Sequence, residues 1–172
     1  INRCHTWEQS ALAIRDTAAQ GLHTGVHMIF GLPGESREEM LAQAALLNEL
    51  PVTSLKLHQL QIVKGTPMEK EFAQNPADFV TFTLDQYLDF IIDFLERLRP
   101  DIFIERVAGE VPPRFVHSNP WGLIRNVEIL RLLEKRLEER QTFQGALYVN
   151  PKDSATGGNP QQPASVNETV PS

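Results

Sequence analysis

The string HMIFGLPGES, residues 27–36, decides how this chain is read. It continues a short apolar run bounded by glycine, LHTGVHMIF at residues 22–30, which reads as a buried strand. The run stops at Gly31 and turns through Leu32, Pro33 and Gly34. It then enters a helix at Ser36, with Glu39 three residues on to complete a capping box. Alternation along the strand puts Gly25, His27, Ile29 and Gly31 on one face and Val26, Met28 and Phe30 on the other. The Val/Met/Phe face suits packing against helices. The face with two glycines and a histidine suits a lumen that holds something. Glycines at the turn let the backbone approach a ligand, and Glu35 complements the helix dipole. The same string also reads as a tight strand-to-helix turn with a capping carboxylate and no ligand.

Working outward, Trp7, Ala11, Ile14 and Ala18 recur at helical spacing. Thr6 with Gln9 opens that helix and Gly21 closes it. Downstream, the helix from Ser36 runs to about Leu50 and ends at Pro51. A second strand is expected from about Ser54 to Val63. Thr66, Pro67 and Glu69 mark a third helix start. A longer helix starts after Thr83, with Leu84, Leu88, Ile91, Leu95 and Leu98 facing inward. Asp101 to Val107 reads as a third strand. The last helix is expected over about Trp121 to Arg140, with Leu123, Val127, Leu130, Leu133 and Leu137 buried.

Strands that alternate with helices imply an α/β fold with parallel pairing. Three strands leave edges without neighbours, so further βα units are expected upstream of Ile1. Residues 1–149 read as the later part of a larger domain. Residues 150–172 carry several prolines and no aromatic residue, and read as a disordered tail.

Composition narrows the function. The chain has 16 Lys and Arg against 22 Asp and Glu, a formal charge of −6, which does not indicate a nucleic-acid binder. An RNA substrate stays open, because residues outside this chain could reverse the balance. No apolar run is long enough for a membrane span, and no signal peptide opens the chain. The single cysteine, Cys4, cannot hold an iron–sulfur cluster by itself. No nucleophile elbow, phosphate loop, zinc-peptidase motif or dinucleotide fingerprint is present. Polar residues gather near strand ends instead: His58, Gln59 and Gln61 near the carboxyl end of the second strand with Lys64 following, and Arg106, Gly109 and Glu110 at the end of the third.

INR at the start, GVHMIFGLPGES, LKLHQLQIVKGTP, RVAGE and a terminal QG, taken in order over residues 1–145, resemble the radical S-adenosylmethionine (SAM) superfamily. The resemblance is to the branch with oxygen-independent coproporphyrinogen oxidase and the elongator-type enzymes, and within it to the YhcC-type subfamily. It implies the C-terminal half of a partial (β/α)6 TIM-like barrel with parallel strands. It implies an enzyme that, when whole, cleaves SAM reductively to a 5′-deoxyadenosyl radical and abstracts hydrogen from a substrate. It implies a [4Fe–4S] cluster on a CxxxCxxC motif, here expected upstream of Ile1, so that this stretch alone is inactive and holds no cluster metal. By matched position, Arg3 would reach the SAM carboxylate. His27 stands where related enzymes often have an acidic residue near the ribose. Ile29, Gly31, Pro33, Gly34 and the adjoining Glu35 would line the adenine side, and Gln61 would approach the adenine. A flavodoxin-type electron donor and a cytoplasmic, reducing location follow from the same resemblance. Two other readings stand beside it: another α/β barrel enzyme that takes an anion at the Gly31–Gly34 turn, and a non-catalytic interaction module.

Overall fold

Caps and glycines set the element boundaries. The computed structural model describes residues 4–118 and 121–150. Arg3, and all of the expected tail except Asn150, lie outside the described residues. Helix α1 (Trp7–Ala19) opens on Thr6, whose side chain accepts from the Gln9 N–H while the Gln9 side chain accepts from the Thr6 N–H. Strand β1 (Gly25–Phe30) follows, and helix α2 (Arg37–Asn48) carries the same reciprocal cap from Ser36 and Glu39. Next come β2 (Ser54–Gln59) and α3 (Pro67–Gln74), the latter opened by Thr66 and Pro67. Then come α4 (Leu84–Arg97), β3 (Phe103–Arg106) and α5 (Asn126–Glu139).

The strands form one parallel sheet in the order β1-β2-β3, as the alternation of elements requires. Right-handed crossovers place the connecting helices on one face of such a sheet. There Phe30, Leu55 and Leu57 pack against Met40, Ala44 and Leu47 of α2 and Tyr87, Phe90, Ile91 and Phe94 of α4. The opposite face carries Gly25 and His27 from β1 and Lys56 and His58 from β2. It is open among the described residues, so β1 is buried on one side only.

Several expected boundaries change. β1 begins at Gly25, not Leu22. β3 covers Phe103–Arg106, not Asp101 to Val107. β2 ends at Gln59 rather than Val63, because β1 turns away at Gly31 (φ +87°) and offers nothing further to pair with. The last ladder bond runs from the Leu60 N–H to the Phe30 carbonyl at 2.8 Å, and Val63 instead bridges Val116. Gly31 also leaves the lumen face on which alternation put it. It is buried, and its N–H donates to Met40 Sδ at 3.0 Å.

The last helix starts at Asn126, later than Trp121, and keeps the expected phase only in part: Leu133 is buried and Leu137 packs against the core as expected. Ile129 and Leu133 are its buried residues, whereas Leu123, Val127 and Leu130 are exposed. Ion pairs accompany that packing. Arg136 reaches Asp85 and Asp89 of α4, and Arg140 reaches Asp89 and Asp93.

Asp93 ties three helices together, accepting from Arg37 of α2 and from Arg140 at the C-terminal cap of α5. Burial alone would raise its carboxyl pKa, yet the hydrogen bonds from Arg140 and Arg37 hold it below the ordinary range. A carboxylate depressed in the folded state contributes stability above its unfolded pKa and loses it as pH falls through the folded value. Asp93→Asn is therefore expected to cost the full-length protein about 1 kcal/mol near neutrality, and progressively less in acid. Urea denaturation at several pH values measures this, and a pH-independent cost would contradict the ion-pair account.

Candidate active site

The carboxyl ends of parallel strands are where α/β folds place their sites, because loops of free design meet there above a rigid sheet. Here a groove of about 460 Å³ runs along the ends of β1 and β2. Its walls include His27 and Ile29 from β1 and His58 from β2. Gln61 from the segment beyond β2, and Thr66 and Met68 from the start of α3, complete them. The fold thus brings together His27, Ile29 and Gln61, which were expected at one cofactor. Sequence reading missed Thr66 and Met68. Their only signal was the cap of α3, which said where a helix begins and not what it faces.

His27 and His58 stack, with ring centroids 5.5 Å apart and planes 21° from parallel. Burial, followed by the positive charges of His27, Arg106 and Lys56, pushes the His58 pKa below the ordinary histidine range. The Nε2 of His58 is shut off from solvent and has no hydrogen-bond partner among the described residues. A buried polar atom of that kind calls for a ligand or a water. The Gln61 amide also has no partner there, and offers one donor group and one acceptor.

Gly109 closes the other side. Its N–H donates to Gln59 Oε1 at 2.9 Å and its carbonyl accepts from Gln59 Nε2 at 3.2 Å, so a side chain extends the β2–β3 pairing beyond the last ladder residues. A Cβ at Gly109 would lie 2.8 Å from His58 Nδ1 and 3.4 Å from Gln61 Oε1. Gly109→Ala is therefore expected to push both side chains aside, costing about 1–3 kcal/mol and reshaping the groove. Denaturation of the full-length variant and its crystal structure check this; unchanged stability with His58 in place would contradict it.

The turn at residues 31–36 behaves differently. The Gly31 N–H goes to Met40 Sδ, Leu32 to the Glu35 carboxylate, Gly34 to the Asp78 carbonyl, Glu35 to the Leu32 carbonyl and Ser36 to the Glu39 carboxylate. Pro33 has no N–H. Every amide donor of the turn is thus spent inside the fold, and the turn presents no nest of free N–H groups to an anion. The second oxygen of Glu35 accepts from Gln43 of α2, so its carboxylate is used in holding the turn. Glu110 is likewise engaged, accepting from the Asn126 N–H at the start of α5. Among the described residues no group of three or more His, Cys, Asp or Glu could hold a metal ion, and Cys4 is exposed. No helix among them is long and apolar enough to cross a membrane.

The family model described as the Radical_SAM C-terminal domain matches residues 52–139, from the residues before β2 through the last residue of α5. The chain belongs to that family. As a radical SAM C-terminal domain it is 32% identical to the protein MJ0486 of Methanocaldococcus jannaschii over 148 residues, 86% of this chain and 45% of that protein. It is 29% identical to YhcC of Escherichia coli over 109 residues, 63% of this chain and 35% of that one. The chain thus spans about half, or less, of the length of the curated relatives it matches. The structure of an N-terminally truncated Elp3 from Methanocaldococcus infernus superposes with a TM-score of 0.68 at 16% identity. That match covers 83% of this chain and 33% of that one, and it supports the α/β fold. The superfamily expected from the ordered motifs is borne out.

Proposed function

We propose that this domain is the SAM-binding part of a radical SAM enzyme, with the nucleoside of the cofactor in the groove between His27, Ile29 and Gln61. The observation that carries the reading is the convergence of those three residues, drawn from two separate parts of the chain, beside the close approach of Gly109. The residues present fit the group. The Gln61 amide can donate and accept at once, which matches the paired donor and acceptor on an adenine edge. Ile29 and Met68 offer apolar walls to a flat ring, and the orphaned Nε2 of His58 can take up a polar atom of the ligand. Bound there and reduced, the cofactor supplies a carbon-centred radical that removes hydrogen from a substrate. Gln61 orients the base, and Ile29 and Met68 pack against it. Arg3, Gly31, Pro33, Gly34 and Glu35 are proposed to serve the same site. The turn residues act by shaping its rim, since their N–H groups are engaged.

The [4Fe–4S] cluster does not fit this chain, which has one cysteine in 172 residues. On this reading its thiolates lie outside the chain, and a flavodoxin-type protein supplies the electron. The test uses the full-length protein purified without oxygen. The expected results are bound iron, SAM binding, and 5′-deoxyadenosine released after reduction. Gln61→Ala is expected to weaken SAM binding about tenfold. Iron-free protein that neither binds nor cleaves SAM would overturn the proposal.

The reading with an anion in the Gly31–Gly34 turn loses its donors to the internal hydrogen bonds described above, and no observation favours it.

A further inference from the structure

Below the groove the lumen face carries Lys56 and Arg106, in line with the groove residue His27. Pairing across the sheet aligns His27 with Lys56, and Lys56 with Arg106. Three side chains able to carry positive charge therefore stand in one row on adjacent strands, about 5 Å from strand to strand. The row lies two residues deeper in the sheet than His58.

Arg106 reaches that row through an irregularity. Leu55 pairs with Ile104, but Lys56 pairs with Arg106, so β3 holds one residue more than β2 at this point. An extra residue turns two consecutive side chains to the same side. Ile104 packs on the core and Val107 lies within it, while Glu105 and Arg106 between them are both exposed.

Among the described residues one carboxylate answers the row. Glu105 accepts from Ser54 Oγ at 2.5 Å and pairs with Lys56 Nζ at 3.1 Å. Arg106 has no ion-pair partner among the described residues, and His27 makes no hydrogen bond there. Like charges set directly opposite one another on a sheet are destabilising. An anion bound between them would offset that repulsion. Arg106 offers a planar fork of donors suited to a carboxylate or phosphate, and His27 adds a further donor.

We propose that the row His27–Lys56–Arg106 holds an oxyanion, carboxylate or phosphate, of the substrate on the lumen face below the groove. This deepens the function proposed above and rests on its placing the cofactor nucleoside in that groove. It makes the substrate an acid or a phosphate ester.

The test titrates orthophosphate, and separately malonate, into the anaerobic full-length protein with isotope-labelled histidine, and follows the ring signals of His27 and His58. The expected result is a saturable shift for at least one probe, weakened at least tenfold in Arg106→Gln and restored to within about threefold in Arg106→Lys. Melting curves of both variants report whether they fold. No saturable shift in the wild-type protein, or the same affinity in a folded Arg106→Gln, would overturn the proposal. The SAM carboxylate is a second source of the same chemistry, so the titration is repeated with saturating SAM. A shift that persists supports a substrate site. One that SAM abolishes overturns it and gives the row to the cofactor. Wild-type protein that fails to bind SAM, yet still titrates with the anion, would sink the cofactor reading and leave the anion row standing.

Discussion

Phe30→Ala is expected to lower the unfolding free energy of the full-length protein by about 3–5 kcal/mol. Phe30 has no solvent exposure and stands at the last position of β1. Its ring meets Phe90 edge-on with centroids 4.8 Å apart and Phe94 at 5.0 Å, so it locks the sheet to α4. Truncation removes the transfer free energy of the ring and leaves a cavity that rigid neighbours cannot fill. A loss of this size is a large share of the roughly 5–15 kcal/mol that holds a typical domain folded. Phe30→Leu, which keeps most of the volume, is expected to cost far less. Denaturant titration of both variants measures the difference. A cost below about 1.5 kcal/mol for alanine would mean that the aromatic cluster is not the joint between sheet and helix.

Gly31→Ala is expected to cost about 3 kcal/mol, the sum of two separate penalties. Gly31 sits at φ +87°, where a Cβ is strained by about 1–2 kcal/mol. That Cβ would also lie 2.8 Å from the Val80 carbonyl oxygen, and backbone moves aside less readily than a flexible side chain. Gly34 separates the two penalties. Its φ of +80° is similar, but nothing lies within 4 Å of its Cβ position, so Gly34→Ala is expected to cost only the conformational part. Stability of the two full-length variants, measured by denaturation, should therefore differ by about 1–2 kcal/mol. Equal costs would remove the steric account.

Much of the architecture was legible in the residues. Reciprocal caps at Thr6 with Gln9 and at Ser36 with Glu39 mark helix starts by local chemistry, and both form as expected. Strand–helix alternation implied a parallel sheet, and the sheet is parallel. The lumen face was legible as far as His27 and Ile29, because alternation needs only a strand of correct register. Strand ends were less legible. β2 stops where β1 stops pairing with it, which is a property of its neighbour. The phase of α5 was legible only at Leu133 and Leu137, for a related reason. Its leucines suit more than one face, and which residues are buried depends on the surface of α4 that they meet.

The chain by itself thus determined what rests on neighbours in sequence: helix starts, strand type, the turn at Gly31, and an ordered set of motifs that points to the radical SAM superfamily. Only the tertiary structure decided what rests on neighbours in space. It spent every N–H of the Gly31–Ser36 turn internally. It set Gly109 against His58 and Gln61, and it put Arg106 in one row with Lys56 and His27. The last of these follows from one extra residue in β3, which shifts the register after Ile104 and turns a side chain that strict alternation would send to the core out into the lumen.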